Sequence, residues 1–255
     1  MTDKRSMAER LDFLRELGNL LRFHRQIGLD HYPFVLPELL EHGSGQADLR
    51  STLTPAADHL SDRQKKGDRD GRSSLAALER EINACRNCPR GVEGASPLTG
   101  AGKVGATLFI VVEQALAATN EGRLLNDEDS TLLRKMLAAI KVSDDAVYMA
   151  PLVRCGTVEE KQTKKEERTA CLDFLERQIA CLRPRAILIF GERAAQTLFR
   201  REQLLFHLRG KIDEIQGIPA LATYHPGQLR SEPALKQMAW QDLQLLQRIL
   251  AGRRN

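Results

Sequence analysis

At 255 residues, 42 % of them hydrophobic, the chain is long enough for one large packed domain, alone or with an appendage. Aromatic residues make up only 5 %, so aliphatic side chains must do most of the packing, and a net charge of +4 permits a polyanion partner without requiring one. No apolar run approaches the length of a membrane span, and the charged start MTDKRSMAERLDFL lacks the apolar stretch of a signal peptide; a cytoplasmic location without a membrane partner is expected.

In chain order, residues 5–28 place Leu11, Leu14, Leu17, Leu21 and Ile27 at helical spacing, which predicts a small helical segment over 1–41 able to take a protein partner. Residues 42–74 are polar, charged and rich in Gly and Ser, and predict a flexible linker. The main domain then runs over 75–255. TLFIVV (107–112) reads as a short buried strand, and STLLRKMLAAI (130–140) as a helix with a Ser N-cap. A strand at 147–153 and a helix at 165–182 follow. RAILIF (185–190) reads as a strand, 192–199 as a helix, IPALAT (218–223) as a strand and 233–251 as a closing helix. Strands separated by helices predict an α/β domain with a central parallel sheet covered on both faces.

Gly100, Gly102 and Gly105 fit the dinucleotide pattern G-x-G-x-x-G, but that fingerprint must follow a strand and open a helix. Here it precedes the strand at 107–112, so a glycine turn is expected instead. Of the five cysteines, Cys85 and Cys88 form a C-x-x-C knuckle, Cys155 follows the strand at 147–153, and Cys171 starts a helix. The knuckle precedes every strand, which disfavours a thioredoxin-like dithiol. One knuckle plus two scattered thiols suits an iron–sulphur cluster as well as zinc, with plain buried cysteines as the third reading. Cys181 is expected in the core. The run 159–168 (EEKQTKKEER) is nearly balanced in charge and reads as solvated.

Four stretches resemble the family 4, iron–sulphur, uracil-DNA glycosylases. They are the C-x-x-C followed by Pro89, then VYMAPLVRC with TACLDFLERQIACLRPRAILIFGERAAQTLF, then LRGKIDEI, and last ATYHPGQLRSEPALKQMAWQDLQLL. The resemblance spans about Leu75 to Leu250. It implies a three-layer α/β/α sandwich, a [4Fe–4S] cluster on Cys85, Cys88, Cys155 and Cys171 (zinc being the alternative), and DNA as partner. His225 of Tyr-His-Pro-Gly falls on the family's leaving-base donor. Arg209, Lys211, Gln228 and Arg230 fall near its DNA-facing loops, and a net +4 implies modest, salt-sensitive binding.

Cleaving the glycosidic bond of deoxyuridine needs a donor for the departing base, a group that positions water, a ring that stacks on the flipped base and an amide that reads its edge. Set on the family's first motif, the carboxylate position is Val112, and Glu113 one step along the strand should face the other side. The stacking aromatic falls on Leu125 and the base-reading amide on Pro151, which has neither amide nor N–H. Asn126, Asp127, Glu128 and Asp129 put acidic charge where a base would enter. Three readings result. The first is a divergent, DNA-associated repair protein with its uracil pocket largely lost. The second is an active glycosylase for uracil or another damaged base that uses His225 and Glu113 or Asp127. The third is a zinc-stapled interaction protein.

Overall fold

The computed structural model describes residues 74–92, 97–114, 123–156 and 162–252. The helical segment expected over 1–41, and all but the last residue of the linker expected over 42–74, lie outside the described residues.

Long aliphatic runs make the strands and amphipathic segments cover them. A helix over 74–83 (α1) leads into the short helix Pro89–Val92 (α2). Then come β1 (Ala101–Gly102), β2 (Leu108–Gln114), α3 (Asp127–Ala139), β3 (Val147–Val153), α4 (Lys165–Leu182), β4 (Ala186–Phe190), α5 (Glu192–Phe199), α6 (Leu205–Leu208), β5 (Asp213–Ile215), β6 (Ile218–Thr223), α7 (Pro226–Ser231) and α8 (Lys236–Leu250). The strands form one sheet in the order β1-β3-β2-β4-β6-β5. The four central strands are parallel, paired for example at Ile110↔Met149, Ile110↔Leu188 and Leu188↔Leu221. Leu108 to Val111 and Ala186 to Ile189 are fully buried, as befits strands covered on both faces.

Both edges are antiparallel. β5 and β6 form a hairpin through Gln216 and Gly217, whose φ of 53° and 75° match a two-residue turn with left-handed backbone. The glycine run makes β1 and its turn rather than a nucleotide loop. Gly102 has φ +144°, and a Cβ there would lie 2.5 Å from the Val147 carbonyl oxygen. β3 tolerates Pro151 because β1 pairs only with Tyr148 and Met149, leaving the rest of that side of β3 outside the β1 ladder.

α4 and α5 pack together on one face of the sheet; α3, α7 and α8 cover the other. α8 buries Ala239, Trp240, Leu243, Leu246 and Ile249 along one stripe against β4 and β6. α3 starts earlier than expected: its N-cap is Asn126, not Ser130, with the Asn126 side chain accepting from the Asp129 N–H at 2.7 Å. Three acidic residues then occupy the first turn, where the helix dipole favours negative charge. A small second core of Leu78, Ile82 and Phe174 joins α1 to α4 beside Cys85.

Candidate active site and cysteine cage

The chain leaves β2 toward β3 on one side and leaves β4 toward β6 on the other. The carboxyl ends of β2 and β4 therefore flank a topological switch point, where open α/β sheets form their ligand crevice. A cavity of about 260 Å³ opens there. It is lined by Val112, Glu113 and Gln114 at the end of β2, by Leu124, Leu125, Asn126 and Asp129 at the start of α3, by Gln162, by Arg193 of α5 and by His225. Pocket volumes for drug-sized ligands begin at roughly 300 Å³, so this space suits one flipped base.

His225 is the N-cap of α7, with Pro226 supplying a preset φ at the first helical position. Its Nδ1 accepts the Gly227 N–H at 3.1 Å, which leaves the ring proton on Nε2. Burial pulls the His225 pKa below the usual imidazole value, while the nearby Asp129 and Glu113 carboxylates pull it back up. The ring is thus neutral at neutral pH and Nε2–H is available as a donor. Phe190 meets it edge-on at 6.0 Å.

Glu113 does not turn away from Val112 as strand alternation predicts; both line the His225 cavity. The reason lies in the neighbouring strand. The β2–β4 ladder ends at Val111↔Ile189, so beyond it no strand separates the two faces of β2. Glu113 Oε1 accepts from Thr163 Oγ1 at 2.6 Å and meets Arg193 Nη1 at 3.3 Å. Val112 is buried, Leu125 closes the apolar side, and Pro151 lies one strand over without lining the cavity.

The acidic run 126–129 is largely neutralised. Asp127 pairs with Arg123, and Glu128 with Arg230. Asp129 is buried and bound to Arg230 Nη1 at 2.7 Å. A Cβ at Gly227 would come within 2.9 Å of its Oδ2, so glycine at 227 is what lets this carboxylate approach the His225 loop.

The four DNA-facing candidates separate. Arg209 is not a surface cation: its guanidinium reaches Asp242 through Nε–Oδ2 at 3.0 Å and Nη2–Oδ1 at 2.8 Å, and it lies over the Tyr224 ring. Arg230 is half-committed to Asp129 and Glu128, and Gln228 meets Glu232 at 3.4 Å. Lys211 is exposed. Sequence reasoning missed Arg193, Gln114 and Gln162 as pocket residues, and Thr163 as the partner that orients Glu113. Only Arg193 had a signal, its place in the first helical turn after the buried strand RAILIF.

A second constellation lies on the α4 side. Cys85, Cys88, Cys155 and Cys171 line one small cavity with Ile82, Pro97, Arg154, Ala170 and Phe174. Cys88, Cys155 and Cys171 are buried and Cys85 half-buried; Cys181 is half-buried on α4 and outside the cage. The knuckle turns tightly, with the Cys85 N–H on the Ile82 carbonyl and the Asn87 N–H 3.5 Å from Cys85 Sγ. Burial, reinforced by the neighbouring cysteines, pushes the Cys155 thiol up to about 11, and burial raises Cys171 as well. Among the described residues no group of three or more His, Cys, Asp or Glu side chains is arranged as a metal-ion site. The donor set itself is all sulphur, the chemistry that selects iron–sulphur clusters or zinc.

Arg90, at the end of this knuckle, ties the cage to the pocket. Its guanidinium contacts the Gln114 side chain at 3.3 Å and pairs with Glu167 at 2.9 Å, deep in the protein.

A three-layer α/β protein with a base-sized crevice at the carboxyl ends of its strands, a neutral histidine on a His-Pro turn and a four-cysteine cage defines a narrow class. The family model described as Uracil DNA glycosylase superfamily matches residues 99–244, and the chain belongs to that superfamily, in its type-4 branch. It is 30 % identical over 178 residues to a type-4 uracil-DNA glycosylase of Pyrobaculum aerophilum, covering 66 % of this chain and 91 % of that protein. Against the type-4 uracil-DNA glycosylase of Archaeoglobus fulgidus it is 28 % identical over 173 residues, covering 64 % and 87 %. Against that of Saccharolobus solfataricus it is 23 % identical over 190 residues, covering 71 % and 88 %. The chain is therefore a repair-related, uracil-DNA glycosylase-like protein. Among the described residues no helix is long and apolar enough to cross a membrane.

Proposed function

We propose that this chain is a DNA-directed repair glycosylase whose pocket has lost its selectivity for uracil while keeping a working donor and a carboxylate. The observation that carries this reading is the shared cavity of His225 and Glu113. A flipped nucleotide whose base entered there would meet the neutral His225 Nε2–H, which stabilises negative charge on the departing base, a service worth about 10²–10³-fold. Glu113, oriented by Thr163 and Arg193, takes the place of the missing carboxylate at Val112 to position water and tolerate the cationic sugar. Leu125 gives the base an apolar wall without aromatic stacking, and no amide stands at 151 to read a uracil edge. Uracil excision is accordingly weak, and DNA contact is modest and salt-sensitive, because Arg209 is committed inside the fold and Arg230 is shared between Asp129 and Glu128.

Cys85, Cys88, Cys155 and Cys171 would hold a [4Fe–4S] cluster, whose role is to join the knuckle, the end of β3 and α4 into one rigid unit. An all-sulphur donor set of four cysteines lining one cavity is the chemistry that supports the cluster, with a single zinc as the alternative.

The test is single-turnover excision by cluster-loaded protein in excess over strands carrying one deoxyuridine, one deoxyinosine or one alkylated base. Cleavage of any of them that His225→Ala abolishes and Glu113→Gln lowers by about 10²–10⁴-fold supports the reading. Uniform silence across the panel overturns it in favour of a DNA-binding role alone. Iron and zinc content of anaerobically purified protein decides the metal.

A further inference from the structure

Resting on the cluster reading above, one buried cation remains to be explained. Arg154 directly precedes Cys155, is 1 % exposed, and lines the cavity that holds the four cysteines. Its outer nitrogens are bound only to neutral groups. Nη1 donates to the carbonyls of Leu98 at 3.3 Å and Thr99 at 2.9 Å, and Nη2 donates to Gln178 Oε1 at 2.6 Å. Gln178 is itself locked by donating to the Thr99 carbonyl at 2.6 Å. The remaining N–H, on Nε, is buried and has no acceptor.

Two costs therefore stand uncompensated at one residue. A buried donor without a partner is expensive, and a buried charge without a counter-charge more so. Among the described residues Arg154 makes no ion pair with Asp or Glu. The ionisable groups close enough to act on its charge are Cys171, Tyr148, Cys155 and Cys85. Three of these four are cage cysteines, and Tyr148 is a strand residue of the core. An arginine fixed this way by its two outer nitrogens keeps its positive charge at the wall of the cage with one N–H still unused.

We propose that Arg154 is the built-in counter-ion of an iron–thiolate cluster in this cage, supplying it with an N–H···S hydrogen bond from Nε and a fixed positive charge. Four thiolates leave such a cluster net negative, and reduction adds a further negative charge. A cation and an N–H donor at fixed short range stabilise the reduced form more than the oxidised one and so raise the reduction potential, the lever that hydrogen bonds and net charge exert on iron–sulphur centres. Arg154 is thus a positioning residue for the cluster; nothing places it near the base pocket.

The experiment compares cluster-loaded wild type with Arg154→Gln and Arg154→Lys, reading iron content, visible absorbance and midpoint potential by titration. The expected result is full iron content in wild type, a clearly more negative potential in the glutamine variant, and partial return toward wild type in the lysine variant, which keeps charge without the fork. Equal potentials in all three proteins at full iron loading overturn the proposal, since a purely structural arginine would change stability and leave the potential in place. Wild-type protein without iron overturns the cluster reading and this proposal with it, a result that the metal analysis reports separately from the potentials. If the variants do not fold, wild-type protein labelled with 15N only in its arginine guanidinium groups answers the question. A 15N coupling to the reduced cluster in electron–nuclear double resonance supports the assignment, and its absence overturns it.

Discussion

Replacing Arg209 by alanine separates a structural cation from a DNA-binding one. Position in sequence put Arg209 near the DNA-facing loops, but its side chain is 9 % exposed and its partner Asp242 is fully buried. Asp242 also accepts from Thr223 Oγ1 at 2.6 Å, so the pair fastens the segment before β5 to β6 and α8 together. Removing one member of a buried ion pair leaves the other charge stranded, which costs about 3–5 kcal/mol. For a folded unit of this size each kcal/mol lowers Tm by about 2–4 °C, so Arg209→Ala should lose roughly 6–20 °C. The loss should also depend on pH in a definite sense. Burial, the largest influence, holds the Asp242 pKa above its usual carboxylate value, with Thr223 and Arg209 opposing it. An acid whose folded pKa is raised costs stability as pH rises through the window between the unfolded and folded values. Without Arg209 that folded value climbs further, so the variant should be less impaired at acidic than at neutral pH. Urea unfolding followed at pH 5 and pH 7 measures this, beside DNA affinity against salt. A variant with ΔΔG under about 1 kcal/mol and a salt slope reduced by about one phosphate contact would refute the reasoning and return Arg209 to the DNA face.

Other outcomes follow from the pocket and the sheet edge. The imidazole of His225 should titrate by NMR below 6.5, because burial disfavours its charged form; any excision should stay flat at neutral pH and fall only as pH drops through that lowered value. Glu113→Gln removes one of the two carboxylates that oppose the shift, so the titration should move lower still, and an unchanged value would mean Glu113 does not face the ring. Gly227→Ser should drive Asp129 from its place, since a Cβ there meets Oδ2 at 2.9 Å, costing about 1–3 kcal/mol that Asp129→Ala should largely restore in the double variant. Gly102→Ala should cost at least as much, because its Cβ would meet backbone atoms of Val147 and Tyr148 at 2.5 and 2.6 Å and φ is +144°, measured as a lowered urea midpoint.

Much of the architecture was legible one residue at a time. Runs such as LFIVV and AILIF can only be strands buried on both faces, and the period of Leu172, Leu175, Ile179 and Leu182 fixes a helix that must cover them. The cysteine spacing and the Tyr-His-Pro-Gly turn pointed to the cage and to His225, because both are local chemistry carried by adjacent residues. The Asn126 cap was overlooked in favour of Ser130, although the acids that follow Asn126 are the usual company of a helix start.

What tertiary structure alone decided are the properties that depend on where strands end and which charges meet. Alternation along β2 sends Glu113 away from Val112, yet the end of the β4 ladder at Ile189 opens the space that lets both line one cavity. Sequence position put Arg209 near the DNA-facing loops and gave Arg154 no signal beyond its place before Cys155. Burial turns the first into half of an internal ion pair and leaves the second facing four cysteines. A sequence states which charges exist and how apolar their neighbours are; only the folded chain sets the distances and the exclusion of water that determine what those charges do.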